Sequence, residues 1–428
     1  MLAVAVLSAA GLALAFLLFA APSRGAGPGV PFRIVLTNDA YWTLAVDHRG
    51  VAYGVAQTGP SSSYRLYSST DEGQTWTPVA DFPSCSRVTD ISVLGDDTLL
   101  AHVNNCSNIT IYRSADHGST WTPVFTFPQP VDYRTLTPHS ITDDGHSVYI
   151  GSYNTLDDSA HENWVWRSDD DGQTWQVVLD TTTHRHIHFV QADPTTHWVY
   201  VGYGDTGRAE IDVSRDQGAT WSPLCTGDQC LAVDMAFDPS GFALFGQDVP
   251  YGSDNIQRVD LATGAVSTVM PLPGISYSTL RLPGGVWLIG TTHGAGTAYV
   301  PGDLDVHLFA SIDNGQTFSD VYDTPYDPND CCFALKVQFA YPNGDFPIQV
   351  GGGTIVAHID SSSSQPVNTG LPVISGNAVD GQLLSASTGV WSGSPTGYGY
   401  EWRRCDAAGA GCVAIGGASG SGYTLAAG

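Results

Sequence analysis

The chain is short of positive charge. Of its 428 residues only 16 are Lys or Arg, against 42 Asp and Glu, and one of the 16, Lys336, is the sole lysine. A formal charge of −26 repels phosphate backbones and anionic lipid, which argues against nucleic acid or an acidic membrane surface as a partner. The acids form no run, so they read as a solvated acidic surface. No C-x-x-C spacing occurs among the eight cysteines, which argues for disulfides over zinc. Beyond residue 21 no stretch could cross a bilayer, and none keeps a 3.6-residue period for long. Helices are not expected in quantity.

An apolar run does open the chain, at 2–21, followed by "PSRGAG". Residues 1–26 read as a secretory signal peptide, with the small residues Ser23 and Gly25 at −3 and −1 of a cleavage site. No Lys or Arg precedes the run and its length would span a bilayer, so a retained N-terminal anchor is the alternative. Either way the chain is exported, to the medium or the cell surface, where cysteines oxidise. Cys225 and Cys230, and Cys405 and Cys412, are close enough to bridge within one hairpin or loop, and Cys85 and Cys106 flank one strand pair. For the adjacent Cys331 and Cys332, a strained mutual bridge and separate fates both stay open.

What the sequence has in abundance is repetition. "STDEGQTW" at 69–76 returns as "SADHGSTW" at 114–121, "SDDDGQTW" at 168–175, "SRDQGATW" at 214–221 and "SIDNGQTF" at 311–318. The box aspartates are Asp71, Asp116, Asp170, Asp216 and Asp313, at intervals of 45, 54, 46 and 97 residues. The last interval is about two periods, and "QRVDLATGAVSTV" at 257–269 stands where the missing copy belongs. A period near 50 in a strand-rich, helix-poor chain predicts a β-propeller of four-stranded blades. Blades are expected at about 41–80, 86–125, 134–180, 186–225, 230–270 and 277–322. Residues 333–360 hold three further strands and lack a fourth, which "PFRIVLT" at 31–37 can supply. That pairing closes the ring and hides both edges, so the expectation is an all-β, seven-bladed propeller over 31–360, with six blades as the alternative.

The five boxes resemble the Asp-box, or BNR-repeat, family of propellers, which includes sialidases and other glycan-active enzymes. The resemblance covers roughly residues 32–360 and departs from the pattern only at Phe318. It implies that each box lies on the turn between the third and fourth strands of a blade. Physically, the Asp carboxylate would accept backbone N–H bonds across a tight turn, Gly would permit positive φ, Thr would suit the following strand and Trp would insert between blades. The boxes therefore read as structure rather than as calcium or sugar sites. After a polar linker at 361–371, residues 372–428 resemble the small Ig-like repeat of secreted actinobacterial proteins, through "GVWSGSP", "YEWRRC" and "GC". Tyr400 and Trp402 would be core residues there, and the module looks incomplete.

Chemistry is then expected at one mouth of the central channel. Aligning second strands ("VYIGSYN", "VYVGYGD", "ALFGQD", "WLIGTTH") places Tyr153, Asp205, Asp248 and His293 there, one from each of four consecutive blades. Strand alternation in "HRHIHF" adds His184, His186 and His188 on one face, and His139 is the counterpart in the preceding blade. The order R-H-I-H then G-D, carried by Arg185, His186, Ile187, His188 and Asp205, resembles a subgroup of BNR-repeat proteins, without implying a reaction. Three readings fit the histidines: His186, His188 and Asp205 hold a divalent transition metal; they act on a sugar; or they satisfy channel waters and carbonyls. Asp205 and Asp248 are the candidate catalytic carboxylates, with Glu210, Asp157, Asp158 and Glu162 able to substitute. Of the sialidase pattern only "FRIV" at 32–35 matches, with Arg33 as one clamp residue and Arg208 and Arg281 as candidates for the others.

Two functions follow as expectations. One is a binding propeller for an extracellular polysaccharide or glycoconjugate, monomeric, engaging Tyr153, His139, His186, His188, Arg208 and His293. The other is a glycoside hydrolase working through carboxylates at the same mouth. A fold of this kind hosts unrelated activities and does not choose between them.

Overall fold

A computed structural model describes residues 3–8, 30–38, 40–57, 64–82, 87–104, 108–128, 133–134, 140–154, 163–204, 207–249, 254–292, 305–326, 335–350, 353–360, 368–370, 372–391, 399–404 and 413–426. These divide into two compact units: residues 20–311 with 315–359, and residues 1–19, 312–314 and 360–428. Helical conformation among the described residues is confined to 3-10 turns, at Ser140 and at Asp228–Cys230. No helix there is long and apolar enough to cross a membrane.

The larger unit holds seven four-stranded antiparallel sheets in chain order. The first runs Trp42–Val46, Ala52–Gln57, Tyr64–Ser69 and Thr77–Ala80. The fourth runs His186–Ala192, Val199–Gly204, Glu210–Ser214 and Ser222–Thr226. The fifth contains the degenerate repeat, as the hairpin Asn255–Asp260 and Val266–Pro271. Its turn still uses an aspartate: Asp260 Oδ1 accepts the N–H of Thr263 at 2.8 Å and its hydroxyl at 2.8 Å. The seventh takes Lys336–Val337, Phe346–Val350 and Gly353–Ile359 from the end of the unit, and Phe32–Asn38 from its beginning. The early strand pairs Phe32 with Ile359 and Asn38 with Thr354, so the first described strand of the unit becomes the outer strand of the last sheet.

Apolar side chains pack between sheets rather than in one central mass. Tyr53 and Leu66 of the first sheet cluster with Ile91 and Leu99 of the second, and Phe189 and Tyr200 of the fourth with Ala243 and Phe245 of the fifth. Polar contacts continue the series: Ala192 N–H donates to Thr142 Oγ1 at 2.9 Å, and Thr279 N–H to Asp234 Oδ2 at 2.6 Å. The last sheet meets the first where Thr43 N–H donates to Thr354 Oγ1 at 3.0 Å. Repeated four-stranded sheets, each packed on the next and the last on the first, are consistent with a β-propeller.

Each box is a closed hydrogen-bonded turn between the third and fourth strands. In the first, Asp71 Oδ1 accepts from Ser69 Oγ and Thr75 N–H, both at 2.8 Å, and Oδ2 accepts from the Thr75 hydroxyl at 2.6 Å. The Trp76 indole N–H donates to the Gly73 carbonyl at 3.0 Å. Asp116, Asp170 and Asp216 repeat the Ser and Thr bonds. Threonine is therefore not there for strand propensity: it precedes the strand and supplies two donors to the carboxylate. A second feature is invisible in the motif. The residue before the glycine also sits at positive φ, as Glu72 at 58°, His117 at 57°, Asp171 at 55°, Gln217 at 59° and Asn314 at 58°. The box glycine itself abuts the preceding sheet. A Cβ on Gly118 would stand 2.9 Å from Val79, and one on Gly172 would stand 3.0 Å from Leu100. Glycine is needed both for its φ of 88° and for this close approach.

In the smaller unit, Ile374–Ser375, Leu383–Ala386 and Gly422–Thr424 form one three-stranded sheet. Ala3–Ser8, Gly399–Arg404 and Val413–Ala414 form another. Trp402 is fully buried among Leu384, Ala386 and Tyr423, with Tyr400 against the cluster, and its indole N–H donates to Gly420 O at 2.9 Å. The start of the apolar N-terminal run is thus an extended strand, antiparallel to Gly399–Arg404. Cys225 and Cys230 form a disulfide with Cα atoms 6.1 Å apart. Cys85, Cys106, Cys331, Cys332, Cys405 and Cys412 lie outside the described residues.

Two stability predictions follow from the boxes. Asp71→Ala should lose about 1–2 kcal/mol, read as a lower melting temperature. Thr75 hydrogen bonds hold the Asp71 carboxyl below its ordinary range, and those of Thr120 bring Asp116 down to about 2. With folded values below the unfolded one, this contribution is present above about pH 4 and is lost as pH falls through the folded value. Acid unfolding followed by circular dichroism should therefore steepen between about pH 4 and pH 2, and Asp116→Asn should flatten that limb.

Candidate functional site

Antiparallel order assigns the two edges of each sheet different tasks. The first-to-second and third-to-fourth turns share one edge, and the boxes occupy it. The second-to-third connections share the other edge with the links between sheets. In the fourth sheet, His186, Gly204 and Glu210 all fall at this second edge, because His186 pairs with Gly204 and Tyr203 with Glu210. Two groups of side chains meet there.

The first group is built around a histidine pair. His186 and His188 are 1% and 3% exposed, and their Nε2 atoms lie 3.0 Å apart. His188 Nδ1 faces the Ala232 carbonyl at 3.0 Å; a carbonyl only accepts, so Nδ1 carries the proton and Nε2 the lone pair. His186 Nε2–H then donates to His188 Nε2. Tyr153, from the third sheet's side, stacks on the His186 ring at 4.3 Å between centroids. Ala232 leads into the fifth sheet, bridging to Gln247, so three consecutive sheets contribute to one cluster. Space for the pair comes from Gly204. A Cβ there would stand 2.7 Å from His186 Nε2 and closer still to His188 Nε2.

The second group was only partly legible. His184 does not share a face with His186 and His188, contrary to the alternation expected of "HRHIHF". It precedes the strand, which starts at His186, and the ladder slips at His188, the extra residue between Ile187 and Phe189. Instead His184 stacks on Tyr203 at 4.0 Å, and its Nδ1–H donates to Arg208 O at 3.1 Å. Its Nε2 stands 3.9 Å from Glu210 Oε1. The Tyr203 hydroxyl donates to Asp212 Oδ2 at 3.2 Å, while Asp212 Oδ1 is buried with no hydrogen-bond partner. Burial first, and then the neighbouring Glu210 carboxyl, push the Asp212 carboxyl up to about 6. Burial and the Asp212 charge likewise hold the Tyr203 phenol well above its usual value. Neither Tyr203 nor Asp212 was singled out from sequence; the alternation Glu210-Ile211-Asp212 was the available signal, since it puts both acids on one face.

The remaining candidates separate. Arg208 is exposed at the same edge. Asp248 is half-buried at the end of its strand, with its N–H donating to Leu231 O at 3.2 Å. Arg281 is not a clamp residue: it closes the first strand of its sheet at the box edge and ion-pairs with Asp238 at 3.1 Å. Arg33 is exposed on the outer strand of the seventh sheet, remote in register from the mouth strands. His139, Asp157, Asp158, Glu162, Asp205 and His293 lie outside the described residues. Among the described residues no group of three or more His, Cys, Asp or Glu forms a metal cage.

Fold and site together define a β-propeller with a polar, histidine-rich cluster at the edge opposite its boxes. Residues 33–239 match the family model of the DUF6242 beta propeller domain. No curated protein matches in sequence. Among solved structures, the chain is similar to the GH74 xyloglucanase from Xanthomonas campestris at 16% identity and TM-score 0.53. That match covers 84% of this chain and 59% of the xyloglucanase chain, so this chain spans about three fifths of that length. A streptogramin B lyase matches at 12% identity and TM-score 0.53, over 78% of this chain and 98% of its own. A chain of a mitotic checkpoint complex matches at 13% identity and TM-score 0.51, over 81% and 98%. Likeness at these identities establishes the propeller fold alone.

The geometry yields two predictions. Gly204→Ala drives a methyl into imidazoles that are already fixed, His188 by Ala232 O and His186 by Tyr153; the expected loss is about 1–3 kcal/mol, with displaced histidine ring signals by NMR. For Asp212, the folded carboxyl binds its proton more tightly than the unfolded one, so stability falls as pH rises through about 6. Asp212→Asn should remove that slope between about pH 4 and pH 6 and raise the melting temperature at pH 7.

Proposed function

We propose that this chain is an exported, monomeric, seven-bladed Asp-box (BNR-repeat) propeller, followed by an Ig-like module, that binds an extracellular glycan polymer at the mouth opposite its boxes. The observation that carries this reading is the fourth sheet's mouth edge. There the exposed Arg208 stands beside the stacked rings of His184 and Tyr203 and the half-buried acid Glu210. Tyr203 itself is buried against His184, so what this edge offers a sugar is the Arg208 guanidinium with the partly buried His184 and Glu210, polar groups that suit its hydroxyls. The polysaccharide direction is also that of the xyloglucanase among the similar structures.

A glycoside hydrolase, sialidase-like or other, is the second reading. In its favour, Asp212 keeps a proton up to about pH 6, as a general acid must. Against it, a glycosidase sets two carboxyls about 5–9 Å apart on either side of the scissile bond, whereas Glu210 and Asp212 stand two residues apart on one face of one strand. Binding is therefore the preferred reading.

The full chain should be tested on arrayed polysaccharides and sialosides for retention and for released sugar. Retention without turnover is expected, weakened at least tenfold by Arg208→Ala and by Asp205→Ala with the melting temperature kept. Turnover that Asp212→Asn or Asp205→Ala abolishes would replace binding by hydrolysis. Neither retention nor turnover on any glycan would sink both readings.

A further inference from the structure

The His186–His188 pair is left unexplained by polymer binding, since both rings are almost wholly buried. Their centroids are 4.8 Å apart, yet their Nε2 atoms are only 3.0 Å apart, so each ring turns its Nε2 toward the other. We propose that this pair is a binding site for a divalent transition-metal ion, held by the two Nε2 atoms, with water or ligand oxygens in the remaining positions.

Three features carry the assignment. Imidazole nitrogens select transition ions over calcium or magnesium, which prefer oxygen. The His188 Nδ1–H bond to the Ala232 carbonyl sets the tautomer that leaves an Nε2 lone pair, the arrangement by which metal-bound histidines are oriented. The spacing also fits. Two nitrogens 3.0 Å apart, each about 2.0–2.1 Å from one ion, subtend roughly 95° at it. That angle suits neighbouring positions of an octahedral or tetragonal ion such as manganese, nickel or copper, whereas tetrahedral zinc would spread the nitrogens to about 3.3 Å.

Three sheets hold the pair in place: Tyr153 stacks on His186, Ala232 anchors His188, and Gly204 leaves room for both. Binding uses the His186 tautomer with its N–H on Nδ1, which leaves an Nε2 lone pair like that of His188. The inference stands apart from the glycan reading, because metal binding is measured with no glycan present.

The test uses the full chain, stripped with chelator and loaded with one equivalent of Cu2+. Electron paramagnetic resonance should show superhyperfine splitting from two imidazole nitrogens, reduced in His186→Gln and in His188→Gln. Calorimetric titration with Mn2+ and Ni2+ should give one site, weakened at least tenfold in either variant. Oxygen-only coordination in the wild type, as scattered surface carboxylates would produce, overturns the proposal. So does unchanged binding in His186→Gln, or an ion lost on gel filtration. Should a variant lose its melting transition, the wild-type nitrogen pattern decides alone.

Discussion

In the boxes of Asp71, Asp116, Asp170 and Asp216 the carboxylate accepts three hydrogen bonds from its own turn, two of them from one threonine. For Asp71 these come from Ser69 Oγ, Thr75 N–H and the Thr75 hydroxyl. The bonds close the turn between the two outer strands, and at Gly118, Gly172, Gly218 and Gly315 the box glycine lies against a side chain of the sheet before it. Repeated along the chain, that contact gives successive sheets the same relation to one another. The same turns absorb positive φ at two consecutive residues, a cost in backbone strain that the carboxylate's bonds offset.

Sheets stacked in this way would still expose edges at the ends of the series. The strand Phe32–Asn38 removes that liability by pairing with Gly353–Ile359, and Thr43 and Thr354 tie the last sheet to the first. The opposite edge carries the second-to-third connections and the links between sheets in place of the boxes, and functional side chains concentrate on loops of that kind. The His186–His188 pair and the His184–Tyr203–Asp212 group both occupy that edge, on the two faces of the fourth sheet. The similar structures are as unlike as a xyloglucanase, a streptogramin B lyase and a chain of a mitotic checkpoint complex, so the fold does not choose among uses.

Much of the architecture was legible. Serine, aspartate, glycine, threonine and tryptophan at constant spacing report a turn whose bonds are made within eight residues, so one short window contains the whole physics. The strand at 31–37 was assignable to the last sheet because an unpaired edge is costly wherever it falls. Reading the site went less far. His186 and His188 were found from alternation, but His184 was placed with them because a strand boundary and a bulge do not announce themselves in "HRHIHF". Asp212 passed as an ordinary strand residue.

Sequence by itself determined the repeat, the strand-rich architecture and the acidic character, because each depends on residues near in the chain or on composition alone. Tertiary structure decided which of those groups meet. Tyr153, His188 and Ala232 come together from three sheets, and burial beside Glu210 is what lifts the Asp212 carboxyl to about 6. Such distances and local dielectric surroundings arise only when the sheets pack side by side, and no window of the chain contains them.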